Sequence, residues 1–221
     1  DRIADLGDFT RTLGLDETDK PVVTLAHDWG GLISLGWAIE HQNILSGIML
    51  TNTAVHHDGV ERIPAALRLA LGVHELGTRD STAFLDVTLG LAQNQGRVPS
   101  EGGPGSSERA LAGPQESQPR ALYPSKLHEG IRRTYRAPYA HPAWREGIRN
   151  FVGDIPTGTD IPSYAHMVRI AEGVRDLKVP AFFQWGTKDP VFQRRYLFDL
   201  MDRFPQAKVH RYEKASHLVA E

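Results

Sequence analysis

The chain has 221 residues, 40% of them hydrophobic and 24% charged, a net charge of −2 and no cysteine. This is enough for one sizeable globular domain with a smaller lid. It gives no broad electrostatic case for nucleic acid or an anionic membrane surface, and it excludes disulfides, thiol catalysis and thiolate metal sites. No apolar run reaches spanning length and no signal-peptide pattern opens the sequence, so the expectation is a cytoplasmic protein without a membrane span.

Residues 2–15 place Ile3, Leu6, Phe9 and Leu13 at helical spacing, with Gly14 near the end. The run from Val22 to Ala26 reads as a buried strand. It breaks at His27-Asp28-Trp29-Gly30-Gly31, and a helix then runs through Leu32, Leu35 and Ile39 to about Gln42. Leu45 to Leu50 is a second strand, parallel to the first if the helix is a crossover.

From residue 56 to 162 the apolar spacing is helical (Ile63, Leu67, Leu71, then Phe84, Val87, Leu91), which predicts a helical cap. Inside it, residues 94–120 are rich in Gly, Ser, Pro and Gln and read as a flexible loop. Their GGPGSS run at 102–107 is not a phosphate cradle, because no Gly-Lys-Ser/Thr follows. Helical character returns at 126–135 and 142–151. Residues 1–55 and 163–221 are expected to form the α/β core, with a strand at 179–186, a helix at 191–204, a strand at 208–212 and a loop carrying His217.

Strand, sharp turn and helix around one reactive side chain make a nucleophile elbow. Ala26 and Gly30 flank the bend, where strand and helix pass too closely for large side chains. Here the reactive residue is Asp28. A carboxylate is ionised at neutral pH, needs no base, and can attack an electrophilic carbon to form an ester. A nearby histidine would then activate water against that ester. The plainer reading of Asp28 is a helix N-cap.

Ligands of parallel α/β sheets gather at the carboxyl ends of strands. Asp28, Asp189 and His217 all stand at such ends, in the chain order nucleophile, acid, histidine. Asp189 would hold the imidazole of His217 in one tautomer and stabilise its cation. Separately they read as a turn residue and a surface histidine; together they read as a site. His56, His57 and Asp58 do not read as a metal site, since adjacent residues converge poorly on one ion. No cofactor is expected.

The motifs AHDWGG at 26–31, WGTKDPVF at 185–192 and SHLV at 216–219, with a lid exit from Asn150-Phe151 to Ile155-Pro156, resemble the α/β-hydrolase superfamily, in its haloalkane dehalogenase-like branch. The resemblance implies a parallel sheet flanked by helices, an inserted helical lid, and catalytic roles for Asp28, Asp189 and His217. It implies an oxyanion or halide donor at Trp29, whose alternative is packing beneath the lid. Candidate substrate contacts are His27 beside the nucleophile, Asn52 where one subgroup carries the acid, and Trp144 in the lid, for which burial in a core is the stronger reading. Members begin with strands carrying a His-Gly loop, so the chain reads as a fragment with its front strands missing, and full activity is expected of the longer parent.

Three substrate classes suit an Asp nucleophile under such a lid: haloalkanes, epoxides and β-lactones. Epoxides call for two lid tyrosines, with Tyr123, Tyr135, Tyr139 and Tyr164 available. The runs NTAVHH at 52–57, GDIP at 153–156 and RYLFDLMDRFPQAKVHRYEKASHLV at 195–219 resemble the β-lactone decarboxylases of long-chain olefin biosynthesis. That resemblance implies a small hydrophobic substrate and fusion to, or association with, an acyl-AMP-ligase-like domain. A non-catalytic relative that binds a ligand or partner is the reading from another class.

Overall fold

Four parallel strands, β1 (Val22–His27), β2 (Leu45–Thr51), β3 (Ala181–Gly186) and β4 (Lys208–Tyr212), form one sheet in the order β1-β2-β3-β4. The computed structural model describes residues 1–55, 63–90 and 129–219. The loop expected at 94–120 and the group His56, His57 and Asp58 lie outside these. Among the described residues no helix is long and apolar enough to cross a membrane.

Helices α1 (Arg2–Thr12), α2 (Trp29–Glu40), α8 (Pro162–Gly173) and α9 (Arg194–Arg203) pack on the sheet. Alternation along the strands sends Ile48, Leu50, Phe183 and Trp185 into that core, all at most 1% exposed. They meet Leu35 and Trp37 of α2, Met167 and Ile170 of α8, and Leu197 and Leu200 of α9. The opposite phase of β1 leaves Val23 and Leu25 55% and 69% exposed. Two such side chains on one strand face favour self-association. Leu25→Lys should therefore lower self-association in sedimentation velocity, while changing stability by no more than about 0.5 kcal/mol; unchanged association would place the sticky surface elsewhere.

Between β2 and α8 lie α3 (Ala65–Gly72), α4 (His74–Thr78), α5 (Ala83–Gly90), α6 (Glu129–Arg136) and α7 (Glu146–Gly153). Ile63, Leu67, Val152 and Ile155 form a second, smaller core there, with Trp29 packed against it. Thus the residue after Asp28 links the sheet to these helices.

Element ends depart from expectation for local reasons. Helix α1 stops at Thr12, and Gly14 at φ 69 turns the chain into a short 3₁₀ segment, Leu15–Glu17. Helix α9 starts at Arg194 and not at 191, because the Val191 N–H donates to Asp189 Oδ1 (2.7 Å) and the Gln193 N–H to the Val191 carbonyl (3.1 Å). Those donors close a turn and do not begin a helix.

Candidate active site

Asp28 ends β1 and starts α2 with φ 52 and ψ −127, a conformation that costs a non-glycine residue about 1–3 kcal/mol. Its neighbours hold it there. The Asp28 N–H donates to the Asn52 carbonyl (3.1 Å), and the Asp28 carbonyl accepts from the Gly31 N–H (2.9 Å) and from Thr53 Oγ1 (2.7 Å). The tight glycine is not Gly30, where an added Cβ would lie 4.0 Å from the Ala26 Cβ. It is Gly31, where a Cβ would overlap Thr53 Oγ1 and lie 2.6 Å from the Thr53 Cβ. Gly31→Ala should therefore cost about 1–3 kcal/mol in denaturant unfolding, and Gly30→Ala clearly less.

The N-cap reading of Asp28 is half of its role. Its Oδ1 accepts the Trp29 N–H at the first turn of α2. Its Oδ2 lies 3.0 Å from His217 Nε2. On the other side of the ring, His217 Nδ1 lies 2.9 Å from Asp189 Oδ2. One imidazole thus bridges two carboxylates that come from loops after β1 and β3, while its own loop follows β4.

Asp189 is 4% exposed and its oxygens are fully engaged. Oδ1 takes the Val191 N–H, and Oδ2 accepts from His217 and from Asn52 Nδ2 (2.7 Å). Asn52, expected at the substrate, is 0% exposed. Its amide also donates to the Gly186 carbonyl (3.1 Å) and accepts the Gly186 N–H (2.8 Å). Its amide is thus engaged between β3 and Asp189 and holds the Asp189 carboxylate in place. Asn52→Leu, close in volume, leaves Gly186 and one Asp189 lone pair unserved and adds backbone strain, since Asn52 stands at φ 26. The expected cost is about 1–3 kcal/mol of stability, read by denaturant unfolding.

His217 is 5% exposed and sandwiched. Phe192 stacks on it at 5.7 Å between ring centroids, and His27 leans on it at 4.7 Å. At Gly186 a Cβ would overlap the Ser216 carbonyl, so the end of β3 packs directly on the loop that delivers His217. Phe192 was not singled out from the sequence, although it lies three residues after Asp189 in the same turn.

Burial alone would lower the His217 pKa, but the hydrogen bonds to Asp189 and Asp28 and their charges outweigh it and push the pKa up to about 10. Burial would raise the Asp28 carboxyl, yet the hydrogen bond and charge of His217 hold it below its ordinary value. At neutral pH the resting site is an ion pair. Because the folded His217 holds its proton more tightly than the unfolded one, its contribution to stability is complete below the ordinary histidine pKa. It fades as pH rises through about 10. Thermal midpoints should therefore fall between pH 7 and 10, and His217→Gln should flatten that fall.

Trp29 packs its ring on Phe151 (5.6 Å), with the Arg2 guanidinium 5.9 Å from its centroid and 4.2 Å from that of Phe151. Arg2 also pairs with Asp154 at the end of α7. The buried-core alternative for Trp144 is wrong. Its side chain is 62% exposed and meets His141 at 5.8 Å, because the 3₁₀ segment Pro142–Arg145 buries Arg145 instead. The Arg145 guanidinium caps the carbonyls of Arg79, Tyr139 and Ala140. Of the tyrosines expected in a lid, Tyr135 is 38% exposed, Tyr164 packs against the main core, and Tyr123 lies outside the described residues.

No protein-family model matches the sequence. A superposable fold occurs in solved haloalkane dehalogenases: DbeA from Bradyrhizobium elkani has a TM-score of 0.72 at 15% identity, over 96% of this chain and 64% of that one. DpaA from Paraglaciecola agarilytica has a TM-score of 0.70 at 17% identity, over 98% and 60%. The chain has the α/β-hydrolase fold that these dehalogenases share. Two curated proteins are similar in sequence to this α/β-hydrolase-fold chain. Both are named cis-3-alkyl-4-alkyloxetan-2-one decarboxylase, from Xanthomonas campestris and Shewanella oneidensis. Each is 28% identical over 225 aligned positions spanning the whole chain. The chain spans 64% and 60% of their lengths.

Proposed function

We propose that this chain carries the reacting groups of an Asp-nucleophile enzyme, and that its substrate is a four-membered β-lactone with two alkyl substituents. The observation that supports the chemistry most is the bridged imidazole, 3.0 Å from Asp28 and 2.9 Å from Asp189. The likeness to two proteins named for an oxetan-2-one substrate supports the class.

In this reading Asp28 Oδ1 stays on the Trp29 N–H while Oδ2 attacks the alkyl-bearing ring carbon that is bonded to the ring oxygen. The ring C–O bond breaks, an ester forms on Asp28, and the ring carboxyl is released as a carboxylate. That carboxylate leaves as carbon dioxide. Its C–C electron pair forms the double bond of an alkene as Oδ2 departs, so Asp28 is restored and no co-reactant is consumed. Imidazolium His217 supports the charge of the departing carboxylate.

A haloalkane is the second reading, favoured by Trp29 lying next to the nucleophile. There Oδ2 displaces halide, and water must hydrolyse the ester. Esterification removes the Asp28 charge that helps to raise the His217 pKa, so the same ring becomes able to act as a base once the ester exists. The test is incubation with a cis-3,4-dialkyloxetan-2-one and with a 1-bromoalkane, assayed for alkene, bromide and an ester on Asp28 by mass spectrometry. Alkene from the lactone is expected. Neither product nor ester with either probe would leave the binding-module reading in its place.

A further inference from the structure

His27 is the last residue of β1, and its imidazole Nε2 lies 2.9 Å from the main-chain carbonyl of His217, 190 residues away. A carbonyl can only accept, so Nε2 carries the hydrogen and Nδ1 keeps its lone pair. The sheet gives this bond its importance. Strand β1 carries the nucleophile at one edge of the order β1-β2-β3-β4, and His217 arrives from the loop after β4. No backbone ladder joins those two ends. Two side-chain links do: Asp28 to the His217 ring, and His27 to the His217 backbone. Among the described residues, His27 is the only side chain that hydrogen-bonds the His217 main chain. The other partner of that carbonyl is local, the Val219 N–H at 3.1 Å.

The two links respond differently to chemistry. An ester on Asp28 takes away the charge that holds the His217 ring from the nucleophile side. The His27 bond involves neither carboxylate and persists. We propose that His27 is a positioning residue that tethers the His217 loop to the nucleophile strand, so that the imidazole keeps its place while Asp28 is esterified. The inference rests on the reading of Asp28 and His217 given above.

The surroundings suit a neutral donor. The charged or titratable groups facing His27 are His217, Asp28 and Asp189. Burial, followed by the neighbouring His217 charge, holds His27 below the ordinary histidine value against the pull of the two carboxylates. A neutral ring avoids a second cation 4.7 Å from His217.

The test compares the full chain with His27→Ala and His27→Gln, since the Gln amide can still donate to a carbonyl. With a 1-bromoalkane under rapid quench, His27→Ala should leave the rate of ester formation on Asp28 within about 2-fold. It should slow ester breakdown by about 10- to 100-fold, the scale of a misplaced catalytic group. KM should change little, and Gln should recover most of the breakdown rate. Equal loss in formation and breakdown, or Gln no better than Ala, would overturn the tether in favour of a packing role. ¹⁵N-histidine NMR of the wild-type chain provides an arm independent of turnover: the Nε2–H tautomer of His27 at neutral pH is expected, and the Nδ1–H tautomer overturns the proposal even if both variants unfold. A wild-type chain that forms no ester sinks the reading of Asp28 itself, while the tautomer still decides the tether.

Discussion

Asp28→Ala will abolish turnover of both the dialkyl β-lactone and the 1-bromoalkane, by about 10⁴-fold or more, and no alkyl ester will appear on the protein. The size follows from the absence of a substitute. Among the described residues Asp189 is the nearest other carboxylate to the imidazole, but it is 4% exposed and its oxygens serve Val191, His217 and Asn52. Only Asp28 combines partial exposure, one oxygen pinned by the Trp29 N–H and one facing His217; its side chain is 34% exposed. The Ala variant carries a second effect, because φ 52 disfavours Ala. Asp28→Asn separates the two, since Asn tolerates positive φ and keeps the cap on α2 while losing the charge. It should still fold, at a lower midpoint because the ion pair to His217 is lost, and form no ester in a single-turnover assay. An active Asp28→Ala would mean that the nucleophile lies elsewhere.

Much of this site was legible because its members announce themselves locally. The elbow is a change of hydrophobic period from 2 to 3.6 across five residues, and Asp189 and His217 each follow an apolar run ended by turn residues. Strand β4 spans Lys208–Tyr212 as its pattern indicates. Illegible were roles defined by distant partners. Asn52 looked like a substrate contact, yet its amide closes on groups 134 and 137 residues away. The steric limit fell on Gly31 and not Gly30, because the obstructing atoms belong to Thr53 on another loop. Trp144 read as a core residue from its chemistry alone, whereas the turn that carries it buries Arg145 beneath three carbonyls. Helix α9 lost its first residues to a hydrogen bond from the Val191 N–H to Asp189. In each case a tertiary hydrogen bond or close contact, without periodicity, decided the outcome.

His217→Ala will separate the two substrate classes. With a 1-bromoalkane the ionised Asp28 displaces bromide without help from a base, so an ester should form at a rate comparable to wild type. Its hydrolysis needs a group to take a proton from water, and among the described residues His217 is the one placed 3.0 Å from the nucleophile with Asp189 behind it. Turnover should fall by about 10²- to 10⁴-fold, the range for a lost general base, and the mass of the alkyl group should remain on Asp28. The proposed lactone route removes the ester by loss of carbon dioxide and asks nothing of water. There the same variant loses only the imidazolium that supports the leaving carboxylate, and alkene formation should fall less than bromoalkane hydrolysis. Trapped ester and equal losses with both probes would mean that the lactone is hydrolysed and not decarboxylated. Normal turnover of both would remove His217 from the chemistry, and would reduce the bridge between the two carboxylates to a structural ion pair.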